Sequence, residues 1–312
     1  MAALDVVADD EFDGVLRVAH AREHHDFHDE RCVERDGHLG HARDASTHRR
    51  TPDIRSPPRA HPPTLDRMSK PLVAILSGAG ISTDSGIPDY RGPNGLWRRD
   101  PEAEKLVTYE YYMGDPEIRR RSWQMRRKNH TLQAEPNAAH RAVVELETSG
   151  VPVRVITQNV DGLHQLAGLP ARKVLELHGT AREFRCTGCH ARGPMEDAIA
   201  RVEAGEDDPA CLECGGILKS ATVFFGERLD PVVLGEAAAI TKACQVFIAV
   251  GTSLQVHPAA GLAGVAADHG ARLIIVNAEP TPYDDRADEV VREPIGTALP
   301  KLVHGLSSEH AP

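Results

Sequence analysis

The chain has 312 residues and is 41% hydrophobic, enough for one large domain or two modest ones built around a real core. Its formal net charge of −10 excludes a surface made to coat nucleic acid, which needs an excess of Lys and Arg against phosphate. No apolar run approaches the roughly 18 residues of a membrane span, and the N-terminus has no basic segment followed by an apolar one. A soluble, cytoplasmic protein without membrane or nucleic-acid partners is expected.

Residues 1–67 hold eight of the 17 histidines and ten arginines but no lysine, without helical or strand periodicity, so this segment is expected to be disordered or weakly ordered. Its "HAREHHDFHDE" run would gather metal only loosely, since no fold surrounds it. Translation is expected to start at Met68, because "MSKPLVAILSGAG" leads naturally into a first strand.

From residue 71 the chain alternates short apolar runs with helical segments. "LVAIL", "VPVRVITQ", "KVLELHG", "CQVFIAVGTS" and "ARLIIVNAE" read as strands, several of them apolar on both faces. "PNAAHRAVVELETSG" reads as a helix with Pro near its start and Gly at its end. This alternation predicts an α/β fold, a Rossmann-like doubly wound parallel sheet whose ligands sit at the carboxyl ends of the strands. The foldable region is expected over 68–307. A large domain would be formed by 70–95, 136–184 and 218–305, and a small one by a helical insertion at 96–135 and a cysteine-rich module at 185–217.

That module carries Cys186/Cys189 and Cys211/Cys214, two C-x-x-C knuckles with 21 residues between them. Two knuckles supply the four sulfurs of a tetrahedral zinc site, with no position left for water, so a structural Zn ion is expected. Disulfides or free thiols are the alternative. The acidic "EAGEDDPACLEC" beside the site argues against a nucleic-acid ribbon.

Polar motifs end the strands. Gly78 and Gly80 of "GAGIS" would bring backbone N–H groups close to a pyrophosphate, although the pentapeptide alone fits a glycine turn equally well. Gly251, Thr252 and Ser253 follow the strand "CQVFIA", and Asn277, Ala278 and Glu279 end "IIVNAE", where they could meet ribose hydroxyls. "VRVITQNVDGLHQLAG" places Gln158, Asn159, Val160 and Asp161 after another strand, more hydrogen-bonding capacity than a turn requires. These residues suit an amide-bearing ligand, while an Asx-type turn is the alternative. His178 of "LELHGT" is a candidate general base, or a satisfied structural histidine.

Together "GAGIS", "GIPDYRG", "TQNVDGLH", "HG", the paired C-x-x-C, "FFGE", "GTSLQVHP" and "VNAE" resemble the sirtuins, NAD-dependent protein-lysine deacylases, over about Lys70 to Val303. The resemblance implies that Gly78, Ala79 and Gly80 line the phosphates and that Ser253 and Asn277 hold the adenosine side of NAD. It also implies that Gln158, Asn159 and Asp161 surround the nicotinamide ribose and carboxamide, with His178 as the catalytic base and Asn159 beside it. The acyl oxygen would attack the ribose carbon as nicotinamide leaves, giving free lysine, nicotinamide and O-acetyl-ADP-ribose. Val223, Phe224, Phe225, Gly226 and Glu227 would form a strand that pairs with an extended peptide of an acetylated protein, facing a segment that contains Val256.

Relatives that prefer succinyl or malonyl groups carry a Tyr-x-x-Arg pair where this chain has Trp123 and Arg126, so deacetylation is expected ahead of acidic-acyl removal. Tyr90 stands where the family more often has Phe. Gly86 and Pro88 suggest a mobile flap carrying Asp89, Tyr90 and Arg91 over the nicotinamide end. Mono-ADP-ribosyl transfer would use the same cleft, and a non-catalytic NAD-sensing module is the non-enzymatic alternative.

Overall fold

The computed structural model describes residues 70–90, Gly95, 100–128 and 130–308. The expectations for residues 1–67 and for Arg91 fall outside them. The strands among the described residues are β1 (Val73–Ser77), β2 (Val153–Thr157), β3 (Val174–Glu176), β4 (Gly179–Cys186), β5 (Arg192–Pro194), β6 (Leu218–Thr222), β7 (Val246–Val250), β8 (Arg272–Val276) and β9 (Glu289–Val291). The helices are α1 (Tyr109–Gly114), α2 (Pro116–Lys128), α3 (Ala138–Thr148), α4 (Leu163–Leu166), α5 (Met195–Glu203), α6 (Pro231–Ala243), α7 (Gly261–Asp268) and α8 (Ile295–Ser308). None of these helices is long and apolar enough to cross a membrane.

Six strands form a parallel sheet in the order β3-β2-β1-β7-β8-β9. β1 and β7 lie at its centre and every residue of both is buried, which is why their sequences are continuous apolar runs instead of alternating ones. Val73, Ile75, Val153, Val155, Ile248 and Ile274 pack on one face against Ala142, Val143 and Leu146 of α3 and Leu299, Val303 and Leu306 of α8. The intervening Ala74, Leu76, Phe247, Ala249, Leu273 and Ile275 are equally solvent-free and point to the other face. There α7 packs on β7 and β8 and is joined by α6. The expected doubly wound sheet is present, with β9 at its edge as an addition that three residues of ordinary composition did not announce.

The smaller sheet, β5-β4-β6, is antiparallel. Residues 179–184 and 218–222, expected in the large domain, lie in this second sheet. β4 is half-buried along most of its length, and its sequence "GTAREFRC" lacks the apolar run that marks the central strands. Trp123 of α2 and Leu132 pack with Cys186, Met195, Ala198, Val202, Cys211 and Leu218, so the helical insertion shares a core with the cysteine module.

α3 starts with a capping box: the Asn137 side chain accepts from Ala139 N (2.9 Å) and His140 N (3.4 Å), while His140 Nδ1 accepts from Asn137 N (3.3 Å). That bond places the imidazole proton of His140 on Nε2. The His140 ring meets His164 of α4 edge-on, 5.1 Å between centroids. The Ser77 hydroxyl donates to Thr157 Oγ1 (2.8 Å), so His164 Nε2, 2.9 Å from Ser77 Oγ, is the donor of that contact. His140 Nε2 and His164 Nδ1 find no hydrogen-bond partner among the described residues.

Burial holds His164 down at about 3, with His140 adding to the effect. Burial likewise holds His140 down at about 4, opposed by Asp161 and aided by Arg141. Both rings are therefore neutral in the native state. Below pH 6.5 the unfolded chain binds protons that the native protein refuses, so stability falls as pH falls from about 6.5 to about 4, by up to about 1.4 kcal/mol per pH unit per histidine. Urea unfolding at pH 7 and pH 5 checks this: wild-type protein should lose stability more steeply than a His140→Asn/His164→Asn variant, and equal slopes would contradict it.

Candidate active site

β1 pairs with β2 on one side and β7 on the other, so the chain leaves the sheet in opposite directions at their carboxyl ends and opens a crevice there. The polar motifs expected at strand ends converge on this edge. Gly78–Gly80 follow β1, Gln158–Asp161 follow β2, His178 follows β3, Gly251–Ser253 follow β7 and Asn277–Glu279 follow β8.

The glycines prove to be steric requirements. Gly78 N donates to Val250 O (3.0 Å) and Gly80 N to Gly251 O (2.8 Å), so these two amides, expected from the sequence to face a pyrophosphate, have partners within the protein. A Cβ on Gly78 would stand 2.7 Å from Gly251 O and from Thr252 Cβ, and one on Gly80 would stand 2.8 Å from Gly251 Cα. Gly251 itself has φ +62°, and a Cβ there would meet Ile81 N at 2.4 Å. Two loops thus cross at backbone distance, and the cleft floor is bare main chain.

Ala79–Ser85 then form a 3₁₀ helix that ends at Gly86 (φ 82°). The chain therefore does not pass directly from the glycines into a flap. It first makes this short helix, whose Ser82 is buried, and only Ile87–Tyr90 run without regular structure. Asp89 is half-buried, and Tyr90 is 41% exposed. Burial of the Tyr90 hydroxyl raises its pKa, with Arg126 opposing and Asp161 adding.

Behind the crossing lies a chain of buried polar contacts. Gln158 Nε2 donates to Thr252 Oγ1 (2.9 Å). Asn159 N donates to Thr157 Oγ1 (3.0 Å), and Asn159 Nδ2 lies 3.1 Å from both Gly78 O and Ser82 Oγ. Ser82 Oγ donates to Asp161 Oδ2 (2.8 Å), while Asp161 Oδ1 accepts from Leu163 N (2.9 Å). The Asx-type turn considered from sequence is thus realised by one carboxylate oxygen, and the other fixes Ser82. Val160 O accepts from Ala181 N (2.8 Å) and Asp161 O from Arg182 Nε (2.8 Å), tying this segment to β4. Asn159 and Asp161 are 9% and 5% exposed, oriented before any ligand arrives.

His178 is half-buried, with Nδ1 2.8 Å from Gln158 O. A carbonyl only accepts, so Nδ1 carries the proton and Nε2 keeps its lone pair. Burial lowers the pKa of His178, opposed by this hydrogen bond, which keeps the ring neutral at pH 7. The carbonyl of His178 accepts from Val223 N (2.8 Å), linking the candidate base to the expected peptide segment.

That segment is not a strand. β6 ends at Thr222, and Phe225 N donates to Val107 O (3.0 Å) while Phe225 O accepts from Tyr109 N (2.9 Å), so both main-chain groups of Phe225 are used by the helical insertion. Phe224 is buried against Tyr112, edge to face at 5.2 Å, whereas Gly226 is exposed and Glu227 half-buried. Val256 is half-buried in an irregular loop after β7. Trp123, expected at the acyl end, is fully buried and packs in the module core. Arg126, one turn further along α2, is half-buried, its Cζ 5.7 Å from the centre of the Phe224 ring.

At the far end of the crevice Asn277 Nδ2 donates to Glu279 O (2.8 Å) and Ala278 is exposed. Arg292, which no sequence signal singled out, donates to Asn277 O (2.7 Å) and Glu279 O (3.0 Å) and pairs with Asp284. Ser82, His140 and His164 were also missed, because each reads as an ordinary helix or loop residue until the fold buries it.

The four expected metal-site sulfurs lie within 4.8 Å of one another, with Cys186 Sγ 3.5 Å from Cys214 Sγ and Cys189 Sγ 3.6 Å from Cys211 Sγ. No disulfide joins them. A tetrahedron of zinc–sulfur bonds has edges of about 3.8 Å, so this cluster fits one ion. A Cβ on Gly216 would stand 3.1 Å from two of the sulfurs, showing how closely the knuckles wrap the site.

Comparison with known proteins agrees with this geometry. The Sir2 family model matches residues 78–258. NAD-dependent protein deacetylase 2 of Streptomyces coelicolor is 82% identical over 237 residues, covering 76% of this chain and 98% of that protein. A solved structure of Sir2 with p53 peptide and NAD+ is 35% identical with TM-score 0.66, covering 76% of this chain and 92% of that one. Another, of Sir2 bound to a propionylated peptide, is 34% identical with TM-score 0.67, covering 75% and 92%. With these residues in this arrangement, the chain belongs to the Sir2 family, the sirtuins.

Proposed function

We propose that this protein removes acetyl groups from protein lysine side chains with NAD as co-substrate, releasing deacetylated lysine, nicotinamide and O-acetyl-ADP-ribose. The observation that carries this reading is the fixed tautomer of His178, a neutral imidazole with its Nε2 lone pair available at the end of β3. NAD would supply an electrophilic ribose carbon for the acyl oxygen as nicotinamide leaves and a ribose hydroxyl to take the acyl group, with one water completing the release of free lysine. Asn159 and Asp161, held by Ser82, Gly78 and the Leu163 amide, present polar atoms to the nicotinamide half. The crossing at Gly78, Gly80 and Gly251 admits the phosphates close to main chain, while Ser253, Asn277 and Glu279 serve the adenosine half. Nε2 of His178 takes the proton of a ribose hydroxyl.

The extended peptide of an acetylated protein would lie along Val223–Glu227 and the Val256 loop, as a main-chain pairing that reads little side-chain identity. Cys186, Cys189, Cys211 and Cys214 would hold one zinc ion with all four positions filled, a structural role. In this reading the large sheet supplies the NAD-binding edge, and the insertion with the cysteine module supplies the opposing wall.

A second reading rests on Arg126. Burial lowers its pKa, and its Nε and Nη2 find no hydrogen-bond partner among the described residues. A buried guanidinium with two nitrogens unsatisfied among the described residues is costly, and an acyl chain ending in a carboxylate would relieve that cost. Removal of succinyl or malonyl groups is therefore a second activity of the same site, with Arg126 and Tyr90 in place of the missing tyrosine at Trp123.

The deacetylase reading predicts nicotinamide release that needs both NAD and an acetyl-lysine peptide. His178→Ala should slow it roughly 100- to 10,000-fold without unfolding the protein. Release without peptide, or an active His178→Ala variant, would defeat the reading. Because only neutral His178 acts as a base and burial depresses its pKa, the acid limb of kcat/KM should fall below pH 6.5. For the second reading, Arg126→Met should cut turnover of a succinyl-lysine peptide at least tenfold while sparing the acetyl peptide, and equal losses would argue against it. Metal analysis should find one zinc per chain. Chelation should abolish activity, with recovery on adding zinc, and metal-free active protein would rule out the structural ion.

A further inference from the structure

Lys219 lies in β6 and is 0% exposed, a rare place for a lysine. Its Nζ donates to Thr222 O (2.6 Å) and Ser220 O (3.2 Å) and pairs with Glu227 Oε2 (2.8 Å), which uses all three ammonium protons. The same Nζ sits 4.2 Å from the centre of the Phe224 ring. Glu227 Oε2 also accepts from Phe224 N (2.8 Å), Glu227 N donates to Phe224 O (3.0 Å), and Arg185 Nη2 stands 3.5 Å from Glu227 Oε1.

One buried ion pair therefore clasps both ends of a loop, from the last residue of β6 to Glu227, around Phe224. The loop is anchored outside as well, by Val223 N on His178 O and by Phe225 on Val107 and Tyr109. A buried pair of this kind adds little stability over apolar residues of the same volume, because desolvation opposes the attraction. Its effect is to select one geometry. Burial lowers the pKa of Lys219, in keeping with an ammonium enclosed by the fold and held charged by Glu227.

We propose that Lys219 is a positioning residue for the peptide substrate: its ion pair with Glu227 holds Val223–Glu227 in the one loop shape that accepts an extended acyl-lysine peptide, without contributing to NAD binding. This inference rests on the peptide reading above and deepens it. Residue 225 cannot pair with a peptide through its own main chain. Val223 N and both main-chain groups of Phe224 are likewise used within the protein, so the pairing depends on how Val223 O and the main chain of Gly226 are presented, and the clasp controls their presentation.

The test compares full-length wild-type protein with Lys219→Met, which keeps the stem and removes the charge, and Glu227→Gln, which keeps an oxygen acceptor for Phe224 N. Lys219→Met should raise the KM for an acetyl-lysine peptide at least tenfold while the KM for NAD stays within about twofold. Glu227→Gln should raise the peptide KM by less. Amide hydrogen exchange of Phe224, Gly226 and Glu227 should quicken at least tenfold in Lys219→Met, with β1 and β2 unchanged and zinc content retained.

Peptide and NAD KM values that rise together, or loop exchange and peptide KM equal to wild type, would overturn the positioning role while leaving the deacetylase reading intact. Wild-type protein that releases no nicotinamide with the peptide would defeat the deacetylase reading itself. Should Lys219→Met fail to fold, Glu227→Gln alone decides, by whether the peptide KM moves and the NAD KM does not.

Discussion

The molecule is organised around the crossing of two backbones at the carboxyl edge of its sheet. Gly78 and Gly80 lie so close to Gly251 and Thr252 that any side chain at the first two positions would collide with main chain. This contact fixes the spacing of β1 and β7 at the switch point. Everything polar in the site is referenced to it: Asn159 binds Gly78 O, Gln158 reaches Thr252, and Ser82, on the helix that leaves the crossing, carries Asp161.

Beneath the crossing the fold buries two uncharged imidazoles and keeps a third, the candidate base, half-buried. The three differ by environment alone. His140 and His164 lie in the polar layer under α3 and α4, where burial outweighs any partner. His178 sits at a strand end, where the Gln158 carbonyl fixes its tautomer. One residue type thus serves as buried spacer and as candidate base within one site, and the choice is made by hydrogen bonding and access to the crevice.

The wall opposite the sheet carries three cations with three different solutions. Lys219 is saturated by acceptors, Arg185 lies near Glu227, and Arg126 has two nitrogens without partners among the described residues. A single apolar group, the Phe224 ring, packs under two of them.

The sequence alone determined the parallel sheet, because fully buried strands must be apolar on both faces and so appear as continuous runs. It also determined the metal cluster, since a C-x-x-C knuckle is a local geometry, and the set of polar strand ends, which needs only the order of strands. The tertiary structure decided the rest. That Gly78 and Gly80 answer to sterics, that Trp123 belongs to a core and Arg126 to a wall, that β4 and β6 form their own sheet, and that Lys219 is buried all depend on contacts between segments distant in the chain. Burial and pairing belong to a residue's neighbours in space, and a residue's type at its position does not specify those neighbours.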